Sequence, residues 1–246
     1  MKILAVYSIK GGVGKTATAV NLAYLASQEG AKTLLCDLDP QGAASFYFRI
    51  KPHNKYSAKK LLKGGSHLED GIRATDYPGL DVLPADFSYR NIDIALDEQK
   101  KSSQRLAKVL QPLCKEYDRI VLDCPPNLTL LSENIFNAAD IILVPMVPTT
   151  LSLLALKQLY DFLDDMGSGR EKVRVFFSMM ERRKKMHQQM VQATQNKQGV
   201  LSASIPHCAD IERMGLHRQP VAVTLPASMA TAAYRTLWRE LTSGEL

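Results

Sequence analysis

Aromatic residues are scarce in this chain, at 7% of 246 residues. That scarcity argues against an all-β sandwich or barrel, whose strands favour aromatic side chains. No apolar run approaches the roughly 18 residues that a membrane-spanning helix needs. The opening Met1-Lys2-Ile3-Leu4-Ala5-Val6 is apolar only briefly, because Lys10 and two glycines interrupt it before a signal-peptide core can form. A cytosolic location is expected. The four cysteines, Cys36, Cys114, Cys124 and Cys208, are widely spaced and form no Cys-x-x-Cys pair. They read as reduced core thiols rather than as a metal or redox site. The five histidines show no ligand spacing and read as surface or loop residues.

What is present is ordinary globular material. Hydrophobic residues make up 46% and the net charge is only +6, which excludes disorder for the bulk of the chain. One domain, residues 1–246, is expected. Short apolar runs (Ile3–Tyr7, Thr33–Cys36, Leu80–Leu83, Ile120–Leu122, Ile141–Val144, Val173–Phe177) lack strict alternation, as strands buried on both faces do. Helical patterns lie between them: Lys15–Glu29, Gln104–Lys115, Leu151–Asp165 and Ala227–Leu241. Strand and helix in turn predict an α/β fold, with a mostly parallel twisted sheet and helices on both faces. The stretch His53–Gly71 reads as a surface excursion around one short helix, Ala58–Lys63. The closing residues Thr242–Leu246 read as frayed.

The strongest local signal is Lys10-Gly11-Gly12-Val13-Gly14-Lys15-Thr16, with Ala17 following, between a strand and a helix. Glycines let backbone N–H groups turn inward around phosphate oxygens, and the helix N-terminus adds a positive dipole end. Lys15 can neutralise β/γ-phosphate charge, and the Thr16 hydroxyl can ligate Mg²⁺. Ile9 stands where the common phosphate loop has its first glycine, and Lys10 supplies an extra lysine. Lys15 already serves the chain's own phosphates. Lys10 can therefore reach a nucleotide held by a facing copy and stabilise transition-state charge there. The plainer alternative keeps Lys10 in cis or solvated.

Two carboxylate loops follow. In Asp37-Leu38-Asp39-Pro40-Gln41-Gly42, alternation puts Asp37 and Asp39 on the same side of a strand end. Asp37 can hold a Mg²⁺-bound water and Asp39 can orient the attacking water or accept its proton. A helix-capping turn is the alternative. Ile120-Val121-Leu122-Asp123-Cys124-Pro125-Pro126 is an apolar strand ending in a second Mg²⁺ aspartate. Thr16, Asp37 and Asp123 are the expected metal set; Lys10, Lys15 and Asp39 are the expected catalytic set.

These three elements, in this order, resemble the ParA/MinD family of deviant-Walker ATPases, closest to its small ParA/Soj-like members. The resemblance implies a P-loop NTPase-type three-layer fold, ATP and Mg²⁺ as cofactors, and slow, partner-stimulated ATP hydrolysis. It implies a homodimer with ATP sandwiched between copies and non-specific DNA binding. A ParB-like or adaptor protein would release the dimer, in a nucleoid-associated role that positions plasmid, chromosome or other cargo. Phe177-Ser178-Met179 and the following helix look like the ParA segment that places an arginine, here Arg183, after a methionine. Ile205-Pro206 looks like the start of the loop that closes over the adenine, so Met179 and Pro206 are carried over as base contacts. The methionines at 179, 180, 186 and 190 pack a core or line the base site.

Between Arg170 and Arg239 stand twelve Lys/Arg against four Asp/Glu. Scattered cations are sufficient for salt-sensitive phosphate binding. Arg183, Lys197, Arg213, Arg218, Arg235 and Arg239 are the DNA candidates, although Arg183 can instead serve the nucleotide or the fold. A MinD-like membrane-surface regulator is the runner-up. It needs a detachable amphipathic tail, whereas Thr242-Ser243-Gly244-Glu245-Leu246 is short and polar, so no membrane anchor is expected. A metal-cluster ATPase would need paired cysteines, and a small-molecule kinase or synthetase a separate substrate pocket.

Overall fold

The unbroken apolar runs of the central strands follow from helices packed on both faces. The computed structural model describes residues 1–53, 56–167, 169–194 and 197–243. Its strands are β1 (Ile3–Val6), β2 (Thr33–Asp37), β3 (Arg73–Ala74), β4 (Leu80–Leu83), β5 (Arg119–Asp123), β6 (Ile141–Met146), β7 (Val173–Met180) and β8 (Val200–Pro206). They form one sheet in the order β3-β4-β2-β5-β1-β6-β7-β8. Every pairing is parallel except β3 with β4.

Alternate side chains of each strand enter opposite cores. Leu4, Val6, Leu35, Val121 and Phe176 pack with the helices Lys15–Gln28 and Met229–Ser243. Ile3, Ala5, Leu34, Ile120 and Leu122 pack with Leu61, Leu106, Ile135 and Leu159 from the helices of the other layer. The α/β expectation therefore holds. Parallel register has one consequence for function: the carboxyl ends of β1, β2 and β5 align, with Val6 opposite Asp123 and Asp37 opposite Asp123.

Several local expectations change. The pattern over Gln104–Lys115 is not one helix. The α-helix covers Arg105–Leu110, and a 3₁₀ turn covers Leu113–Lys115. Pro112 stands between them, lacking the N–H that would continue the ladder. The region His53–Gly71 is not a simple surface excursion, because Tyr56, Leu61, Leu62 and Leu68 are buried in the core; residues 54 and 55 lie outside the described residues. His187 is buried rather than on the surface. Helical spacing from His187 to Met190 and Val191 turns it inward, and its Nδ1 accepts the Glu181 N–H at 3.2 Å. Met186, expected in a core or base site, is exposed. The last helix extends to Ser243, so the fraying expected for Thr242–Leu246 does not begin at Thr242; residues 244–246 lie outside the described residues.

Strand β8 was not anticipated. Its signal is the alternation Leu201-Ser202-Ala203-Ser204-Ile205, which suits a sheet edge. The last helix guards that edge. Glu240 accepts the Ser202 and Ala203 N–H groups at 2.6 and 2.8 Å and the Ser202 hydroxyl at 3.0 Å. Glu240→Ala leaves two strand amides without their acceptor and is expected to lower stability by about 1–3 kcal/mol in urea denaturation. The neighbouring exposed Arg239→Ala is expected to change it by less than about 0.5 kcal/mol.

Candidate active site

The chain leaves β1 through Ser8 and Ile9 and turns back at Gly12 and Gly14, whose φ values of 70° and 88° lie in the left-handed region. A side chain at Gly14 would also approach the Ser178 Oγ at 3.1 Å, because the end of β7 packs against the loop. The helix Lys15–Gln28 starts at Gly14 with no side-chain cap, so its first N–H groups point toward the loop without a side-chain acceptor. Lys15 is buried and its ammonium donates to the Lys10 carbonyl at 3.3 Å. Burial pushes its pKa down, while the nearby Asp123, Cys124 and Asp39 oppose that shift.

Beside Lys15 stand two fully buried carboxylates on adjacent strands, Asp37 and Asp123. Asp37 Oδ2 accepts the Ser45 N–H at 2.7 Å and the Ser45 hydroxyl at 2.6 Å. Asp37 Oδ1 and both oxygens of Asp123 have no hydrogen-bond partner. The Thr16 hydroxyl stands close enough to favour the charged form of Asp123 without closing a hydrogen bond. Burial pushes both carboxyls above the usual range; the Asp37 charge raises Asp123 further, and the Asp39 charge adds to the rise of both. Orphaned buried oxygens fit a hard divalent cation. Among the described residues no group of three or more Asp, Glu, His and Cys can hold such an ion alone. That suits Mg²⁺, which commonly takes one or two carboxylates and completes its shell with phosphates and water.

The remaining expected residues lie at or just beyond the carboxyl ends of their strands: Lys10 after β1, Asp39 after β2, Met179 in β7 and Pro206 in β8. Asp39 is half-buried in the turn after β2, where its Oδ1 accepts the Gln41 N–H at 3.0 Å. Lys10 is half-buried rather than extended outward. Its ammonium donates to the Thr149 and Ser152 hydroxyls, both at 3.4 Å, at the start of the helix Thr150–Asp165. Met179 has a φ of 51°, a strained value for a side-chain-bearing residue, one position after the Ser178 that touches the loop. Pro206 pairs with Met180 at the end of β8.

The comparisons with known proteins agree with this geometry. A family profile for an AAA domain matches residues 1–175. The chromosome partitioning protein ParA of Caulobacter vibrioides is 31% identical over the whole of this chain and 95% of its own. The sporulation initiation inhibitor protein Soj of Bacillus subtilis is 30% identical over 98% of each chain. A Borrelia burgdorferi protein described as a plasmid partition protein, solved with AMPPNP, superposes with a TM-score of 0.86 at 23% identity, over 99% of each chain. The chain belongs to the ParA-like deviant-Walker ATPases.

Three positions in this ParA-like site were not legible as site residues. Ser45 holds Asp37 from eight residues away. Ser178 touches Gly14 from β7. Tyr7 donates its hydroxyl to the Asn127 carbonyl at 2.8 Å, pinning the segment after Asp123 to the strand before the phosphate loop. Each depends on strand neighbours that no local pattern reveals.

The basic candidates do not gather at one place. Arg183 is exposed just after β7, at the phosphate-loop end of the sheet, whereas the exposed Lys197 precedes β8 at the opposite end. A strand of seven residues separates the ends by roughly 23 Å. Arg213 is exposed, and Arg235 and Arg239 share one face of the last helix. Arg218 is half-buried and engaged within the chain.

Raised carboxyl pKa values mean that the folded protein holds these protons more tightly than the unfolded chain. The stability they contribute is present at acid pH and is lost as pH rises above the usual carboxylate range. Asp123→Asn removes one buried charge. It is expected to raise the nucleotide-free melting temperature at pH 8 by about 2–6 °C, by calorimetry, and to flatten its decline with pH.

Proposed function

We propose that this protein is an ATP-driven dimerising switch that binds DNA without sequence preference and hydrolyses ATP to position or segregate cargo. The single observation that carries the reading is the pair of buried, under-bonded carboxylates Asp37 and Asp123 beside Lys15 and the open phosphate loop. Thr16, Asp37 and Asp123 would hold Mg²⁺, which supplies neutralisation of the phosphate charge. The loop N–H groups and Lys15 hold the β- and γ-phosphates. Asp39 orients the water that attacks the γ-phosphorus, and Met179 and Pro206 bound the base.

The dimer part of the proposal is supported by the surface beside the loop. Leu151 and Leu154 are 66% and 53% exposed on the same helix start that parks Lys10. Leucines left in water at the mouth of a charged site suit a face that a second copy covers. Lys10 then exchanges the Thr149 and Ser152 hydroxyls for the partner's phosphates. The name of the chromosome partitioning ParA relative supports cargo partition, and the net charge of +6 supports a polyanionic surface as substrate track. No helix among the described residues is long and apolar enough to cross a membrane.

Light scattering with Mg·ATP tests assembly. Asp39→Ala is expected to accumulate a dimer, and Lys10→Ala to remain monomeric. A monomeric Asp39→Ala protein at saturating nucleotide assigns Asp39 to assembly instead and removes its role in hydrolysis. Binding of the ATP form to unrelated duplex DNA is expected to fall at least about tenfold between 50 and 200 mM salt, by fluorescence anisotropy. Binding to anionic vesicles in place of DNA would favour the MinD-like reading.

A further inference from the structure

Among the described residues, four that are not glycine have left-handed backbone: Arg49, Lys101, Met179 and Arg218. Arg49 and Arg218 face each other. Arg49 donates an Nη1 hydrogen bond to the Arg218 carbonyl at 3.1 Å, and its guanidinium also pairs with Asp76. Arg218 donates from Nε to the Phe46 carbonyl at 3.0 Å and lays its guanidinium over the Phe46 ring at 4.4 Å. Phe46 belongs to the five-residue helix Ala43–Tyr47, which is too short to persist alone. Arg218 therefore stands at that helix's carboxyl end, where a cation and a donor both satisfy exposed carbonyls.

The other end of the same helix meets the metal carboxylate, through the two Ser45 bonds to Asp37. The segment that carries Arg218 is tied in turn to the phosphate-loop helix. Asn21 accepts the Val221 N–H at 2.9 Å and donates to the Met214 sulfur at 3.3 Å. A continuous chain of contacts results: Asp37, Ser45, the short helix, Arg218, the segment 214–221, Asn21 and the helix that bears Thr16.

We infer that Arg218 is a positioning residue of the Mg²⁺-nucleotide site, holding Ser45 and through it the Asp37 carboxylate in register with Thr16, and that it is not a contact to DNA. The inference rests on the nucleotide reading of the site. Both left-handed arginines end short helices, Arg218 after Met214–His217 and Arg49 after Ala43–Tyr47, and at both ends the arginine side chain is tied back into the chain. A surface phosphate contact needs neither that tie nor the stacked ring.

The test measures binding of a fluorescent ATP analogue, with and without Mg²⁺, in the absence of DNA. Arg218→Lys keeps the charge and loses the planar fork; Phe46→Leu keeps apolar bulk and loses the ring face. Each is expected to reduce the Mg²⁺-dependent gain in affinity about three- to tenfold, within the range of exposed cation–π and charge-assisted contacts. Mg²⁺-free affinity and melting temperature are expected to stay at wild-type values, and the double variant to be no worse than either single one. The remote Lys59→Ala is expected to match wild type. At saturating Mg·ATP, Arg218→Lys is expected to retain duplex DNA binding. Unchanged Mg²⁺-dependent affinity in Arg218→Lys overturns the inference. So does a selective loss of DNA binding, which would return Arg218 to the phosphate contacts. Wild-type protein whose affinity ignores Mg²⁺ would instead overturn the proposed function itself.

Discussion

Two aspartates held side by side in the interior constrain the rest of this molecule. Burying one carboxylate costs several kcal/mol, and burying a second beside it adds repulsion. Asp37 and Asp123 end adjacent parallel strands in register, so neither can turn away without breaking the sheet. Lys15 offsets part of the charge and Ser45 takes one oxygen of Asp37. Three oxygens are left without partners. The site therefore holds an unmet demand for a cation beside the phosphate loop.

The phosphate loop is shaped to receive such a ligand. Gly12 and Gly14 supply left-handed backbone, and at Gly14 a side chain would be strained by that backbone and would come within 3.1 Å of the Ser178 hydroxyl. Strain at Met179 lies next to that contact. Tyr7 joins the loop's strand to the segment after Asp123. The phosphate loop thus touches β7 through Gly14 and Ser178, and its strand touches the segment after Asp123 through Tyr7 and Asn127.

Peripheral features divide between stability and assembly. Glu240 closes the β8 edge against unwanted strand pairing, a common liability of open sheets. Leu151 and Leu154 leave apolar surface at the site's mouth, the observation on which the proposed assembly rests. The basic candidates spread over both ends of the sheet rather than forming one patch.

The fold class was legible because strands buried on both faces must be apolar throughout. The phosphate loop was legible because glycine, lysine and threonine at that spacing serve few other purposes. Asp37 and Asp123 were legible as strand ends. Pro112 was visible too, but helical periodicity outweighed it. The edge strand β8, the inward turn of His187, the grip of Ser45 on Asp37 and the engagement of Arg218 with Phe46 all depend on residues distant in the chain. By itself the sequence determined which chemical groups are present and which local turns they make. Tertiary structure decided which of them meet, because strand register and layer packing, not spacing along the chain, set the distances between their side chains.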